Sequence, residues 1–227
     1  MVRSMLKVIV LVTAVSFFTA SAFAHAGEIL TFQGLGDQQP VGNFYNGGGL
    51  ASTPNYGVSF SSNFFGLKSI ANGGAGNFAG TPLGTPAIFI TNGTTGAPAT
   101  GVMNVGPGFS NGINFFFTAG FTGGQTETVT IWSGANGTGT VLATITLANN
   151  NGTCGSPAYC NWSDIGASFQ NGVAHSVTFT GPANELGITD ITLGSSSTAI
   201  PEPSSIYLLG TGLAGIVLSK ARRLLGV

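Results

Sequence analysis

Residues 127–148 read Glu-Thr-Val-Thr-Ile-Trp, then Ser-Gly-Ala-Asn-Gly-Thr-Gly-Thr, and then Val-Leu-Ala-Thr-Ile-Thr-Leu-Ala. Val129 and Ile131 alternate with polar residues, and every second residue from Val141 onward is apolar. This two-residue period is typical of β-strands with one buried face. The Asn136-Gly137 pair between the two runs supplies the positive φ angles that a tight turn requires. The stretch therefore predicts a β-hairpin.

Short alternating runs of the same kind, separated by turn-rich segments, extend along the chain. The 37 glycines and 10 prolines among 227 residues leave no room for long helices, and the 17 phenylalanines supply a sizeable core. The pattern predicts an all-β fold, an antiparallel β-sandwich. The predicted strands are 28–33, 57–62, 86–91, 101–105, 113–119, 127–132, 141–148, 175–180 and 186–193.

The first 24 residues have the pattern of a secretory signal peptide. Arg3 and Lys7 precede the apolar run 8–18, and small residues follow it. Cleavage after Ala24 fits the small-x-small rule, and so does cleavage after Ala26. We expect cleavage after Ala24, which leaves an ectodomain at residues 25–199.

The predicted ectodomain is acidic. Lys68 is its only lysine or arginine, whereas six of the seven acidic residues of the chain lie in it, so its formal charge is −5. Binding to nucleic acid needs clustered basic residues, so nucleic acid is excluded as a partner.

The C-terminal segment 200–227 has three features in a fixed order. Pro201-Glu202-Pro203 is followed by the uncharged run 204–219 and then by a basic tail, residues 220–227. As a helix the run would extend roughly 24 Å, slightly less than a bilayer core. We predict a transmembrane helix with its basic end in the cytoplasm; the alternative is a buried core helix. The anchor residues would be Ile206, Leu213, Leu218, Lys220, Arg222 and Arg223.

This order of features closely resembles the PEP-CTERM sorting signal of Gram-negative bacteria. The resemblance implies that an exosortase recognises Pro201, Glu202 and Pro203 and processes the chain there after signal peptidase has acted. It further implies an inner-membrane precursor, and then a place at the cell surface or in an extracellular matrix associated with exopolysaccharide and biofilm. Residues 32–37, 40–48, 56–61 and 187–195 look like a recurrent ectodomain of such proteins, which is similar to jelly-roll carbohydrate-binding domains.

Cys154 and Cys160 are the only two cysteines. In an exported protein an even pair at this spacing indicates a disulfide that closes a small loop. A zinc site would need further ligands, and only His25 and His175 are present. A redox pair would normally be Cys-x-x-Cys.

The candidates for stacking against a sugar are Trp132 and Trp162, with Tyr45, Tyr56 and Tyr159 beside them. Trp132 alternates with Thr128 and Thr130, so it is predicted to face outward, away from the core. The alternative for either tryptophan is ordinary packing. The long glycine-rich loops 36–56 and 71–85 are where a sandwich would build a binding surface.

A structural calcium ion is the one cofactor that the sequence suggests. The apolar face switches within 186–193, which predicts a β-bulge at Asp190. In jelly-roll domains the first and last strands lie side by side and commonly hold Ca²⁺, which would take oxygen ligands from Glu28 and Asp190, with help from Asp37. The alternative is a carboxylate that faces water.

The sequence offers little for catalysis. His175 shares a strand face with Val177 and Phe179, no Gly-x-Ser-x-Gly motif occurs, and the acids are scattered. We therefore expect a non-enzymatic, exported surface or matrix protein. The alternatives are a carbohydrate-binding module that uses Trp132 or Trp162, and a secreted hydrolase that uses His175 or Asp190.

Overall fold

The computed structural model describes residues 27–121, 124–151 and 153–197. The predicted signal peptide at 1–24 and the predicted sorting motif, transmembrane helix and basic tail at 200–227 lie outside the described residues. Within the described ranges, no helix has the length and apolar character needed to cross a membrane.

The described residues form nine β-strands and two short 3₁₀ turns, and they contain no α-helix. The 3₁₀ turns are Ile70–Asn72 and Ala135–Gly137. The strands are β1 (Glu28–Leu30), β2 (Val58–Phe60), β3 (Phe64–Leu67), β4 (Ala87–Ile90), β5 (Pro98–Ala119), β6 (Glu127–Trp132), β7 (Val141–Leu147), β8 (Ser163–Pro182) and β9 (Leu186–Leu193).

All strand pairs are antiparallel, and their order is β3-β4-β9-β5-β8-β6-β7, with β1 beside β9 and β2 beside β5. β5 and β8 pair with each other along nearly their whole length and take part in two layers. The first layer contains β2, β6, β7, residues 98–105 of β5 and residues 174–182 of β8. The second contains β1, β3, β4, β9, residues 111–119 of β5 and residues 163–169 of β8.

The passage from one layer to the other occurs at irregularities in the β5–β8 pair. Its register shifts between Asn104 and Phe109 and again between Phe109 and Asn111. Gly108 and Asn111 there have φ angles of +77° and +73°, and Gly172 on β8 has +106°. Glycine and asparagine tolerate this left-handed region, and bulges bend a strand, so these residues allow both strands to turn together.

The core lies between the two layers. The ring of Phe179 in the first layer is 5.7 Å from that of Phe64 and 6.0 Å from that of Phe115, both in the second layer. A Cβ atom on Gly101 would collide with the ring of Phe64, so glycine allows the layers to approach closely at this point. The predicted all-β, sandwich-like fold is confirmed.

The predicted hairpin at residues 127–148 is also confirmed. β6 pairs with β7, and Asn136 and Gly137 have φ angles of +57° and +69°. Asn104 attaches the turn to the first layer by two hydrogen bonds. The backbone N–H of Asn136 donates to Asn104 Oδ1 at 2.7 Å, and Asn104 Nδ2 donates to Asn136 Oδ1 at 2.8 Å.

The strand predictions need four corrections, beginning with β1, which ends at Leu30 and not at residue 33. The runs 101–105 and 113–119 are two parts of one strand, β5, and the run 175–180 is part of the much longer β8. The alternation pattern is lost at the bend, so one strand looks like two. β3 was not predicted, because Phe64, Phe65 and Leu67 are apolar on both faces of the strand and give no alternation.

A buried acid lies at the start of β6, on the core side of the strand. Glu127 is 1% exposed, and its Oε1 has no hydrogen-bond partner within the described part of the chain. Burial raises the pKa of Glu127 from 4.5 to about 8. The folded protein therefore holds a proton on this carboxyl at pH values where the unfolded chain has released it.

We expect the substitution Glu127→Gln to change how stability depends on pH. A raised pKa makes folding less favourable as pH rises from about 4.5 to about 8, at a total cost on the order of a few kcal/mol. Urea unfolding at pH 5, 6.5 and 8 should therefore show the variant gaining stability relative to the original protein as pH increases. A difference in unfolding free energy between the two proteins that does not vary with pH would contradict the raised pKa of Glu127.

Candidate functional site

The predicted disulfide is present and closes a small loop. The sulfur atoms of Cys154 and Cys160 are bonded, with Cα atoms 5.7 Å apart. A hydrogen bond also joins the segments on the two sides of the loop, because the backbone N–H of Asn161 donates to Asn151 Oδ1 at 2.8 Å. Tyr159 is thereby held in a fixed place within the loop.

The disulfide loop is attached to the glycine-rich loop 71–85. Tyr159 forms a parallel bridge with Phe78: its carbonyl accepts from the Ala79 N–H at 2.8 Å, and its N–H donates to the Asn77 carbonyl at 3.2 Å. Trp162 reinforces the contact, with its Nε1 donating to the Ala79 carbonyl at 3.3 Å and its ring edge-to-face with Phe78 at 5.6 Å. We call residues 71–85 and 154–162 together the loop cover.

The loop cover lies over an apolar outer face of the second layer. On β3 and β4, Phe65, Leu67 and Phe89 are only half-buried and alternate with residues that point into the core. Ile88 pairs with Ile188, and Thr118 with Gly187, so Phe89, Gly187 and Thr118 follow one another across the sheet. This layer is therefore apolar on both faces, and the loop cover shields much of the outer one.

A pocket of about 240 Å³ remains beneath the loop cover. Leu67, Phe78, Phe89 and Leu186 are the large apolar side chains that line it, and Gly187 and Thr118 lie at its floor. A Cβ atom on Gly187 would lie 3.0 Å from Thr118 Cγ2 and 3.5 Å from the Trp162 ring, so glycine keeps the floor open. The polar side chains that line the pocket belong to Asn77, Thr118, Tyr159 and Asn184.

Tyr159 forms a hydrogen bond with an acid next to the pocket. Its hydroxyl donates to Glu185 Oε2 at 2.9 Å. Burial, and then the bond to Glu185, raise the pKa of Tyr159 above its ordinary value, so the hydroxyl stays protonated at neutral pH. The pocket is thus lined mainly by apolar groups, with amides and a neutral phenol as its polar groups.

The two other tyrosine candidates lie together at a different place. The rings of Tyr45 and Tyr56 stack at 5.8 Å, beside a groove of about 340 Å³ that Ile29, Thr31 and Pro54 also line. Tyr45 is 3% exposed, and its hydroxyl accepts from the Phe32 N–H at 2.6 Å. Burial raises the pKa of Tyr45 to about 12. Tyr45 is thus mainly a core residue, and Tyr56 covers it.

The predicted bulge at Asp190 is present. Between Asn114 and Phe116, β5 advances by two residues while β9 advances by three, from Thr192 to Thr189. Asp190 has a φ angle of +52° and is 1% exposed. Its Oδ1 accepts from Thr85 Oγ1 at 2.9 Å, whereas its Oδ2 has no hydrogen-bond partner among the residues that are described. Burial raises the pKa of Asp190, against the hydrogen bonds from Thr85 and Thr189 that lower it.

The first and last strands lie side by side, as the calcium hypothesis requires, but its three acids are not grouped. Glu28 pairs with Leu193, three residues or roughly 10 Å along β9 from Asp190. Asp37 accepts from the backbone N–H groups of Lys68 and Ala75 at 2.7 and 3.0 Å. In the described ranges, no three His, Cys, Asp or Glu side chains are grouped closely enough to hold a metal ion.

Trp132 is separate from the loop cover. It is half-buried on β6, where it pairs with Ser176, and its Nε1 donates to Thr178 Oγ1 at 3.0 Å. His175 on β8 is half-buried, with its Nδ1 3.3 Å from the Val105 carbonyl oxygen. Of the predicted ligand-binding residues, the structure therefore brings Trp162 and Tyr159 together and leaves Trp132 elsewhere.

Comparison with known proteins bears on the C-terminal segment. Residues 199–223 match the family model of the PEP-CTERM protein-sorting motif. The chain carries a PEP-CTERM sorting motif. The match includes Pro201, Glu202 and Pro203, the residues for which exosortase recognition was predicted. No curated protein sequence matches the chain.

Several solved structures are similar to the folded part of this chain. The K2 cleaved adhesin domain of Lys-gingipain has 13% identity and a TM-score of 0.48, with 74% of this chain and 99% of that domain covered. TmCBM61 in complex with β-1,4-galactotriose has 13% identity and a TM-score of 0.37, covering 60% and 85%. CsCBM6-3 of Clostridium stercorarium, in complex with cellobiose, has 17% identity and a TM-score of 0.32, covering 52% and 80%.

Calcium binding at Asp190 stays a prediction and can be tested by thermal unfolding. A bound ion stabilises the folded state by mass action, so the unfolding midpoint of the full chain should be higher in calcium than in EDTA. Asp190→Asn should abolish this difference, whereas Asp164→Asn should retain it, because it makes the same substitution at an exposed residue that accepts a hydrogen bond from Asn114 Nδ2 and lies outside the predicted calcium site. Identical midpoints in calcium and EDTA for the unsubstituted chain would contradict the prediction.

Proposed function

We propose that this protein is an exported, non-enzymatic protein of the cell surface or extracellular matrix, which an exosortase releases from a temporary C-terminal anchor. The match of residues 199–223 to the PEP-CTERM sorting motif is the observation that carries the proposal. The signal-peptide pattern at the other end of the chain supports it independently. The setting is a Gram-negative cell envelope and the exopolysaccharide or biofilm outside it.

The proposed sequence of events uses both ends of the chain. Signal peptidase cleaves after Ala24, and the apolar run 204–219 then holds the exported domain in the inner membrane. The basic tail with Lys220, Arg222 and Arg223 stays in the cytoplasm, in agreement with the positive-inside rule. Pro201 and Pro203 restrict the backbone before the membrane to extended conformations, which keeps the motif accessible to a processing enzyme.

The folded domain has the chemistry of an extracellular protein. Its two cysteines form a disulfide, a bond that persists in oxidising compartments, and no free cysteine occurs in the described part of the chain. Both features support export.

The sorting proposal predicts a change in location when the motif is altered. In the native host, the combined substitution of Pro201, Glu202 and Pro203 by alanine should leave the protein in the membrane fraction at the mass of the unprocessed chain. The combined substitution of Ser204 and Ser205 by alanine is the matched control, because it changes adjacent residues outside the motif and should be processed normally. Release of the motif variant at the normal level would refute the proposal.

Binding of a carbohydrate is a second function, and the pocket beneath the loop cover favours it. Rigid aromatic rings and a few amide groups around an apolar surface are what recognition of one face of a sugar ring needs. Trp162 contributes to this arrangement by fixing Phe78 and the Ala79 carbonyl, so its role would be to position the loop cover. Trp132 has no contact with this pocket in the structure and would act at a separate surface.

A further inference from the structure

We propose that the pocket beneath the loop cover binds one neutral sugar ring that bears a methyl group, such as a 6-deoxyhexose or an N-acetylhexosamine. The inference rests on the carbohydrate-binding function and specifies its ligand. It does not depend on how the C-terminal segment is processed.

The size of the pocket sets the first limit. Its volume of about 240 Å³ is enough for a single hexose ring with a substituent, and residues of the loop cover form one side of it above the sheet. The disulfide, the bridge between Phe78 and Tyr159 and the Trp162 contact hold that cover in place. A largely pre-formed pocket has a low ordering cost when a ligand binds.

The lining of the pocket sets the second limit. The surface of the pocket is mainly apolar, with Leu67, Phe78, Phe89 and Leu186 as its large apolar side chains, so the pocket cannot satisfy the hydroxyls of a fully hydroxylated hexose on every side. Buried hydroxyls without partners are costly. A 6-deoxyhexose has a methyl group in place of a hydroxymethyl group, and an N-acetylhexosamine has an acetyl methyl group. Either methyl group can lie against the apolar wall, while the remaining hydroxyls can bond the side-chain amides of Asn77 and Asn184.

Charge sets the third limit. No lysine or arginine lines the pocket, and the carboxylate of Glu185 is bonded to the tyrosine at its edge. The predicted ectodomain as a whole has a formal charge of −5. A uronic acid would bring a second carboxylate close to that of Glu185, in a pocket whose surface is mainly apolar, which is unfavourable. The pocket should therefore reject acidic sugars.

The test is ligand-observed NMR with four probes: the 2-hydroxyethyl glycosides of L-rhamnose, N-acetyl-D-glucosamine, D-glucose and D-glucuronic acid, whose aglycone carries no methyl group. The full chain would be kept in a zwitterionic detergent without a sugar headgroup, so that the detergent does not compete. We expect at least one of the two methyl-bearing probes to bind about tenfold more tightly than the glucoside. The glucuronide should give no signal.

Ala75→Phe is the variant that locates the site. Ala75 is exposed at the pocket lining and its backbone N–H donates to Asp37 Oδ2 at 3.0 Å, a bond that a larger side chain retains, so phenylalanine should fill the entrance. Ala71→Phe, at an exposed position of the same loop outside the pocket lining, is the matched control. Binding of the methyl-bearing probe should fall at least about tenfold in the first variant and stay unchanged in the second. Equal unfolding midpoints would show that both variants fold.

The results distinguish a failure of the proposed ligand class, a neutral sugar with a methyl group, from a failure of carbohydrate binding itself. Equal binding of all four probes, or preferential binding of the glucuronide, would overturn the ligand class while leaving carbohydrate binding intact. Binding that survives Ala75→Phe would overturn the site. Absence of binding by all four probes would overturn the inference, and a screen with polysaccharides would then show whether carbohydrate binding itself fails.

Discussion

The antiparallel pairing of β5 with β8 is the interaction on which both layers of this domain depend. The two strands run through the whole structure, and each layer is completed by adding strands to one half of the pair. Because Gly108, Asn111 and Gly172 adopt positive φ angles, both strands can change direction together and bring Phe179 into contact with Phe64 and Phe115. The core therefore forms where the bend folds the pair onto itself.

The outer face of the second layer connects the fold to function. Phe65, Leu67 and Phe89 form an apolar outer surface, and the loop cover lies over the part of it that contains Leu67 and Phe89. The two parts of the cover are joined by a parallel bridge and by Trp162, and side-chain hydrogen bonds to Asp37, Asp190 and Glu185 attach it to the rest of the domain. A loop held in this way can be rigid without a core of its own, and the space that it leaves is a pocket.

The sequence predicts those features whose signal is local. Alternation identified β6 and β9 with the bounds that the structure shows, Asn136-Gly137 identified the hairpin, and the switch of apolar face identified the bulge at Asp190. The continuity of β5 could not be predicted, since its bend interrupts the alternation. The pocket could not be predicted either, because it depends on the long-range contact of Phe78 with Tyr159. The one feature of the sequence that indicates a covered outer face is that β3 is apolar on both of its faces.

The proposed sorting route exports this domain on a temporary anchor and then releases it. Its most direct test is mass spectrometry of the C-terminal peptide of the native protein, from normal cells and from cells that lack exosortase. If exosortase processes the chain, the protein from normal cells should end near Pro201–Pro203, whereas the protein from deficient cells should retain Val227. An intact Val227 in both would contradict this route.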